Sequence, residues 1–289
     1  MPTTPVYRNS IRWYHHLLAQ PFKLLSAMNI GPFGGENSIS AVIETILAKQ
    51  KGQGVDFPLS KTEQFFVKML LSPNAPPVDQ LVEYRELNHI AQKAVLDLWG
   101  KQKLGVIWVG GGVFTLDHPL IASSQSHDWH IWTDANPKVI ASAREKFDDM
   151  RQRTALRSGA FNITLPQDIE KLNENIRFLV SKKVERIIIQ AYGLLYVMTK
   201  EENLEWLGKL DRPKGIDFAF ILNSMPPKIG MGPAVMAAFH NQRMVYYDTE
   251  AIQSVFAQAL PGSQIVWTRP KEETQFDLET WVVNVLAPR

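Results

Sequence analysis

The chain has 289 residues, of which 45% are hydrophobic and 21% charged, so it is long enough and apolar enough for one large globular α/β domain. Its 31 basic and 29 acidic side chains nearly balance, which argues against nucleic acid or a membrane surface as the main partner. The absence of cysteine excludes disulfides, zinc–thiolate sites and thiol nucleophiles. No segment has the apolar length of a signal peptide or of a membrane span, so we expect a soluble, cytoplasmic protein.

The first hundred residues have the patterns of helices and are predicted to form an extension, 1–100, before a core at 101–289. Helices are expected over 11–28, 38–50, 60–71 and 78–100. The third begins with Ser60 and Glu63 in the spacing of a capping box. The aromatic and aliphatic residues of the first helix have three interpretations: a cover over a substrate pocket, the contact face of a homodimer, or packing against the core.

After residue 103, apolar segments alternate with helical ones. Strands are predicted at 104–110, 130–134, 155–163, 186–191, 216–223, 263–269 and 280–287. Strands separated by helices indicate a parallel sheet, whereas the last two, joined by a short polar connection, have to be antiparallel. The fold class is therefore α/β, with a doubly wound, mostly parallel seven-stranded sheet. This is the Rossmann-like arrangement of class I methyltransferases, here with a helical N-terminal extension.

Two features at the carboxyl ends of the first two core strands indicate a nucleoside site. Gly110, Gly111 and Gly112 follow a buried strand and allow the backbone to approach a ligand closely. Asp134 ends the next strand, where a carboxylate can accept hydrogen bonds from both hydroxyls of a ribose. The alternatives are a tight turn without a ligand and a carboxylate that only caps a helix. Thr115 stands where a dinucleotide fingerprint needs its third glycine.

Three segments resemble the leucine carboxyl methyltransferase-like family of class I methyltransferases. They are VIWVGGGVFT at 106–115, WTDANPKVI at 132–140 and RIIIQAYGLLYVMTKEEN at 186–203. The resemblance implies S-adenosylmethionine as the methyl donor. It also implies a small-molecule acceptor that is methylated on oxygen, as a carboxylate or hydroxyl, or on nitrogen.

The residues that the resemblance and the strand ends place at the donor are predicted to bind this cofactor. They are Arg85, Gly110, Gly111, Gly112, Asp134, Ala135, Asn162 and Gln190. Arg85 matches an arginine that pairs with the methionine carboxylate of the donor, since a guanidinium binds a carboxylate through two hydrogen bonds. A solvated helix arginine is the alternative. Asn162 is the nearest polar candidate for the adenine.

Tyr192 and His118 are the predicted catalytic residues. Tyr192 follows the fourth core strand, beside the expected position of the sulfonium, and His118 follows the first. Packing of the tyrosine under its loop and solvation of the histidine are the alternatives. The histidines do not have the spacing of metal ligands, so no metal is predicted.

Departures from the family pattern at Phe114, Tyr192 and Val197 motivate a second hypothesis. In it, the chain keeps the methyltransferase fold and binds the donor but catalyses a reaction other than methyl transfer. A nicotinamide-dependent oxidoreductase is a third hypothesis, because it would use a similar glycine loop and strand-end acid.

Overall fold

The computed structural model describes the chain in segments, at residues 7–28, 39–50, 59–71, 79–100, 102–149, 155–160, 163, 165–224, 231–239, 243–269, 273 and 279–287. The strands in this part are β1 (Tyr7–Asn9), β2 (Leu104–Val109), β3 (Trp129–Asp134), β4 (Ala155–Ala160), β5 (Arg186–Gln190), β6 (Asp217–Asn223), β7 (Val245–Tyr247), β8 (Gln264–Arg269) and β9 (Thr280–Val285). The helices are α1 (Trp13–Ala27), α2 (Ile39–Gln50), α3 (Lys61–Leu70), α4 (Asp79–Trp99), α5 (Pro119–Ala122), α6 (Pro137–Asp149), α7 (Pro166–Ser181), α8 (Lys200–Gly208), α9 (Met231–Phe239) and α10 (Thr249–Ala259), and Leu195–Val197 is a 3₁₀ turn.

The central sheet contains seven strands in the order β4-β3-β2-β5-β6-β9-β8. The first five are parallel, and β9 lies antiparallel between β6 and β8. The predicted fold class is therefore confirmed, including the antiparallel pair that closes the sheet. In this order the chain reverses direction across the sheet between β2 and β5, so the carboxyl ends of these two strands border the crevice where such sheets bind ligands.

Helices cover both faces of this sheet, which explains why β2, β6 and β9 are buried over nearly their whole length. On one face, α7, α8 and α10 pack against side chains such as Ile107, Ile189 and Phe220. On the other face, α4, α5 and α6 pack against Trp108 and neighbouring residues. Alternate residues of β2, β5, β6 and β9 supply the two cores, as expected for a doubly wound sheet.

Helix starts agree with the predicted capping signals. Ser60 and Glu63 form the expected capping box at α3, and Thr199 and Glu202 form another at α8. Asp248 caps α10 by accepting a hydrogen bond from the backbone N–H of Ala251, at 2.7 Å. In each case the side chain accepts from a backbone N–H that the helix itself leaves without a partner.

The N-terminal segment contacts the core closely. β1 pairs antiparallel with β7, α1 packs against α9, and α4 packs against the central sheet. The sequence patterns had not indicated β1, β7 or α9. The division at residue 100 into an extension and a core stays a prediction, and it separates elements that are in direct contact.

One face of α1 is apolar and exposed. Trp13, Leu17 and Leu24 have 60 to 75% of their surface accessible. A homodimer through this face stays a prediction. Over the described ranges, no helix combines the length and the apolar character that crossing a bilayer requires.

A buried histidine in β3 makes stability depend on pH. His130 accepts a hydrogen bond on Nδ1 from the indole N–H of Trp108 at 3.2 Å, and Ser124 Oγ lies 2.6 Å from its Nε2. Burial lowers the pKa of His130 from 6.5 to about 3. Between these values the unfolded chain binds a proton that the folded chain does not, so the free energy of unfolding falls as the pH falls.

We expect His130→Gln to weaken this dependence. The slope of unfolding free energy against pH should decrease by about 1.4 kcal/mol per pH unit between about pH 4 and pH 6. Urea unfolding at a series of pH values measures it. His127→Gln, which removes an exposed histidine from the preceding turn, is the matched control. Identical slopes for the wild type and His130→Gln would contradict the assignment.

Candidate functional site

The glycine loop leaves β2 with a backbone that favours glycine. Gly110 and Gly112 have φ angles of 62° and 65°, in the left-handed region. The loop is tied to the end of β3, because Gly111 N–H donates to the Thr133 carbonyl at 2.9 Å. In addition, Gly112 N–H donates to Asp134 Oδ2 at 3.0 Å. The structure thus brings together the two features that the sequence singled out.

Trp132 supports the loop from beneath. Its indole N–H donates to the Gly112 carbonyl at 2.9 Å. Its ring occupies the space next to Gly111, where the Cβ of any larger residue would lie 2.5 Å from Trp132 Cε2. Gly111 is therefore required for close approach to an aromatic ring, a role that the triplet alone did not reveal.

Asp134 is largely buried, and both of its carboxylate oxygens accept backbone hydrogen bonds. Besides Gly112 at Oδ2, the N–H of Asn136 donates to Oδ1 at 2.8 Å. Burial raises the pKa of Asp134, and these two hydrogen bonds act in the opposite direction. Each oxygen keeps a second lone pair, so the carboxylate can still accept from a ligand hydroxyl. Ala135 is exposed next to it, at the edge of the site.

Arg85 of α4 reaches the segment that follows the glycine loop. Its Nη2 donates to both oxygens of Asp117, at 2.6 and 2.7 Å, and to Thr115 Oγ1 at 3.3 Å. Its Nη1 donates to Glu44 of α2. Burial by itself raises the pKa of Asp117, but the hydrogen bond from Thr115 and the charge of Arg85 outweigh it and lower the pKa to about 2. Arg85 Nε is buried and has no hydrogen-bond partner among the described residues.

Buried polar side chains form a row that consists of His118, Gln92, Asn88 and Gln190. The row ends at Gln190, the last residue of β5. Its Nε2 donates to Asn88 Oδ1 at 2.6 Å. Gln92 Nε2 donates to the same oxygen at 3.1 Å and lies 3.3 Å from His118 Nδ1. Gln92 Oε1 accepts from the backbone N–H of Leu120 at 3.2 Å. The row connects α4 with the start of α5 and with the carboxyl end of the sheet.

His118 is buried instead of solvated. It packs against Trp108, with ring centroids 5.0 Å apart, and contacts Gln92. Burial, together with the positive charges that His89 and Arg85 can carry, lowers the pKa of His118 to about 3. Such a histidine is neutral and weakly basic near pH 7, which suits it poorly to general-base catalysis. Its catalytic role stays a prediction that this environment does not favour.

Tyr192 is buried beside Tyr84. The two rings meet edge to face with centroids 4.8 Å apart, and the Tyr192 hydroxyl lies 2.9 Å from Thr280 Oγ1. Burial raises the pKa of Tyr192, so its phenol stays neutral. The following Gly193 has a φ of 92°, and its N–H donates to Asn223 Oδ1 at 2.6 Å. A catalytic role for Tyr192 stays a prediction; the geometry fits a neutral hydroxyl that orients a neighbour.

Asn162, predicted at the adenine, lies outside the described residues. Sequence reasoning missed Asn88, which accepts a hydrogen bond from Gln190, and Gln92, which donates to Asn88. It also missed Glu44, which pairs with Arg85. A signal was present, since Arg85, Asn88 and Gln92 are spaced to share one face of a helix. In the described part of the chain, no three acidic or histidine side chains are grouped to hold a metal ion.

No model of a known protein family matches the sequence, and no curated protein matches it either. Solved structures do resemble it. A proposed methyltransferase from Thermobifida fusca YX has a TM-score of 0.57 at 14% identity, with 88% of this chain and 96% of that chain covered. A DUF574 family protein from Streptomyces avermitilis MA-4680 also has a TM-score of 0.57 at 14% identity, with 87% and 97% covered.

A third structure, of the CurJ carbon methyltransferase, has a TM-score of 0.51 at 15% identity and covers 94% of this chain and 71% of that chain. Identities this low establish the fold and nothing further. The chain therefore has the fold of class I methyltransferases.

We expect Gly111→Ala to destabilise the loop, because its methyl group would overlap the Trp132 ring. Overpacking of this kind costs about 1–3 kcal/mol. Chemical unfolding measures the loss. Gly159→Ala in β4 is the matched control, since no described atom lies within 4 Å of the position that its methyl group would take. Equal stabilities of the two variants would show that the contact with Trp132 does not restrict the loop.

Proposed function

We propose that the protein is an S-adenosylmethionine-dependent methyltransferase that acts on an oxygen or nitrogen atom of a small molecule. One observation carries this proposal. Gly112 of the glycine loop is hydrogen-bonded to Asp134, and both lie at the carboxyl edge of a sheet with the methyltransferase strand order. The family resemblance of the three sequence segments supports the same proposal. It also supports the finer assignment to the leucine carboxyl methyltransferase-like family.

The residues present fit such a donor by their chemistry. Asp134 has free lone pairs for the ribose hydroxyls, and the glycine loop offers backbone to a ligand without side chains in between. Arg85 is a cation whose buried Nε is unused among the described residues. It is suited to the methionine carboxylate, as the resemblance implies. We therefore assign these residues and the exposed edge at Ala135 to the donor site.

When bound, the donor supplies an activated methyl group on a sulfonium, and the acceptor displaces it in line. The task of the protein is to hold the two reactants in register and to exclude water. Tyr84 and Tyr192 fit that task as rigid, neutral aromatic residues near the end of β5. Burial raises the pKa values of Tyr84 and Tyr192, so both phenols stay neutral and do not act as bases near pH 7. These two residues therefore suit acceptors that are nucleophilic without deprotonation, such as a carboxylate or a neutral amine.

Isothermal titration calorimetry with S-adenosylhomocysteine tests donor binding. Wild-type protein should bind it, and Asp134→Ala should weaken binding by about 10- to 100-fold, because hydrogen bonds to a charged group are lost. Asp97→Ala is the matched control, since Asp97 is an exposed carboxylate on α4. Circular dichroism verifies that each variant is folded.

Two outcomes would contradict the proposal. One is folded wild-type protein that binds neither S-adenosylhomocysteine nor S-adenosylmethionine. The other is binding of NADH that S-adenosylhomocysteine does not displace, which would favour an oxidoreductase. A third outcome is that the protein binds S-adenosylmethionine but forms no S-adenosylhomocysteine with any of a broad panel of amines, carboxylates and phenols. It would favour a reaction other than methyl transfer.

A further inference from the structure

The buried row that ends at Gln190 has a fixed hydrogen-bond direction. The direction is set at one end by a backbone N–H, that of Leu120, which can only donate. Gln92 must therefore turn its Oε1 towards Leu120 and its Nε2 towards Asn88 and His118. Because His118 is neutral, its Nδ1 can accept from this amide. The orientation of Gln92 follows from its surroundings and does not depend on a choice between two similar atoms.

The oxygen of the Asn88 amide determines how the Gln190 amide is oriented. Asn88 Oδ1 receives the N–H of Gln92, so it acts as an acceptor towards Gln190 as well. Gln190 must then present its Nε2 to Asn88, which leaves its Oε1 on the other side of the amide. Turning the Gln190 amide over would break its hydrogen bond to Asn88 and place two oxygens against each other inside the protein.

The Oε1 of Gln190 is a buried acceptor without a partner in the described part of the chain. The residue is only 3% exposed, so bulk water reaches it poorly. Leaving such an oxygen without a donor costs about 1–3 kcal/mol. Gln190 is the last residue of β5 and lies beside Trp108 of β2, just before the glycine loop. A ligand bound at that loop is in position to supply the missing donor.

We propose that Asn88 and Gln92 are positioning residues that hold Gln190 Oε1 as the acceptor for the α-ammonium group of the donor's amino-acid end. This inference rests on the proposed function, and it extends the site to two residues on α4. With its amide held in this orientation, Gln190 offers the ligand an acceptor, Oε1. This atom favours a ligand group that donates hydrogen bonds over one that only accepts them.

The neighbourhood favours an ammonium group over a hydroxyl. Arg85 precedes Asn88 by three residues on α4, so both lie on one side of the helix. The unused Nε of Arg85 is a donor, and Gln190 Oε1 is an acceptor. An amino-acid end carries a carboxylate and an ammonium on one carbon, which matches this pair. Arg85 is also flanked by Glu44 and Asp117, and the three side chains together carry two negative charges and one positive charge.

The test compares two ligands that differ only in the group concerned. They are S-adenosylhomocysteine and its analogue that lacks the α-amino group, and calorimetry measures both affinities. For Asn88→Leu and Gln92→Met we expect affinity for S-adenosylhomocysteine to fall about 10-fold, which corresponds to the loss of one well-formed hydrogen bond. Affinity for the analogue should change less than about 3-fold, because the analogue does not use the oxygen.

Two further variants complete the test. Asn88→Asp keeps an oxygen that accepts from both Gln92 and Gln190, so the preference for S-adenosylhomocysteine over the analogue should survive. Gln190→Met removes the acceptor oxygen itself, so this preference should be lost. Thermal unfolding of each variant shows whether it is folded, and Asn88→Asp and Gln190→Met test the proposal even if Asn88→Leu does not fold.

The outcomes separate this inference from the proposed function. Wild-type protein that does not bind S-adenosylhomocysteine overturns both. Wild-type binding with equal losses for the two ligands in Asn88→Leu and Gln92→Met overturns the inference alone, since it would indicate a purely structural role. A preference that survives in Gln190→Met would also overturn it.

Discussion

The candidate site depends on the two backbone hydrogen bonds that the carboxylate of Asp134 accepts. The carboxylate accepts from Gly112 on one oxygen and from Asn136 on the other, and so it joins the glycine loop after β2 to the start of α6 after β3. Parallel strands bring these two chain segments side by side but do not fix their separation. A buried acceptor that two backbone donors share does fix it. The same carboxylate therefore shapes the loop and, in the proposed function, accepts hydrogen bonds from the ligand.

The sequence predicted this part of the molecule well, because its determinants are local. The β-branched run of β5 and the continuous apolar run of β2 indicate buried strands wherever they occur. The capping box at Thr199 encodes its own helix start within four residues. Asp134 could be singled out because it ends the strand that follows the glycine loop, while Asn136 is available to cap the helix that comes next. The alternation with helices predicts that the first five core strands are parallel, and the final hairpin predicts that the last two are antiparallel to each other.

The features that sequence reasoning missed depend on contacts between distant segments. The short strands β1 and β7 pair only because the chain brings residues 7–9 to residues 245–247. Asn88 and Gln92 look like ordinary polar residues of a helix until α4 is packed on the sheet, where Asn88 accepts hydrogen bonds from both Gln190 and Gln92. His118 follows the same rule: a loop histidine by sequence, it becomes buried because α5 folds back over Trp108.

The site combines one salt-bridged arginine with a row of neutral amides, and the two solve different physical problems. An arginine held by two carboxylates keeps a charge near the loop, because its attraction to these neighbours offsets part of the desolvation cost. A further charge at Gln190 would have to be buried without such compensation. A neutral amide avoids that penalty, but it can turn over, and then it would no longer select a ligand group. The backbone N–H of Leu120 fixes the orientation of the Gln92 amide, which in turn makes Asn88 Oδ1 an acceptor. The Gln190 amide therefore has one orientation, in which its Nε2 donates to Asn88 and its Oε1 lies on the other side.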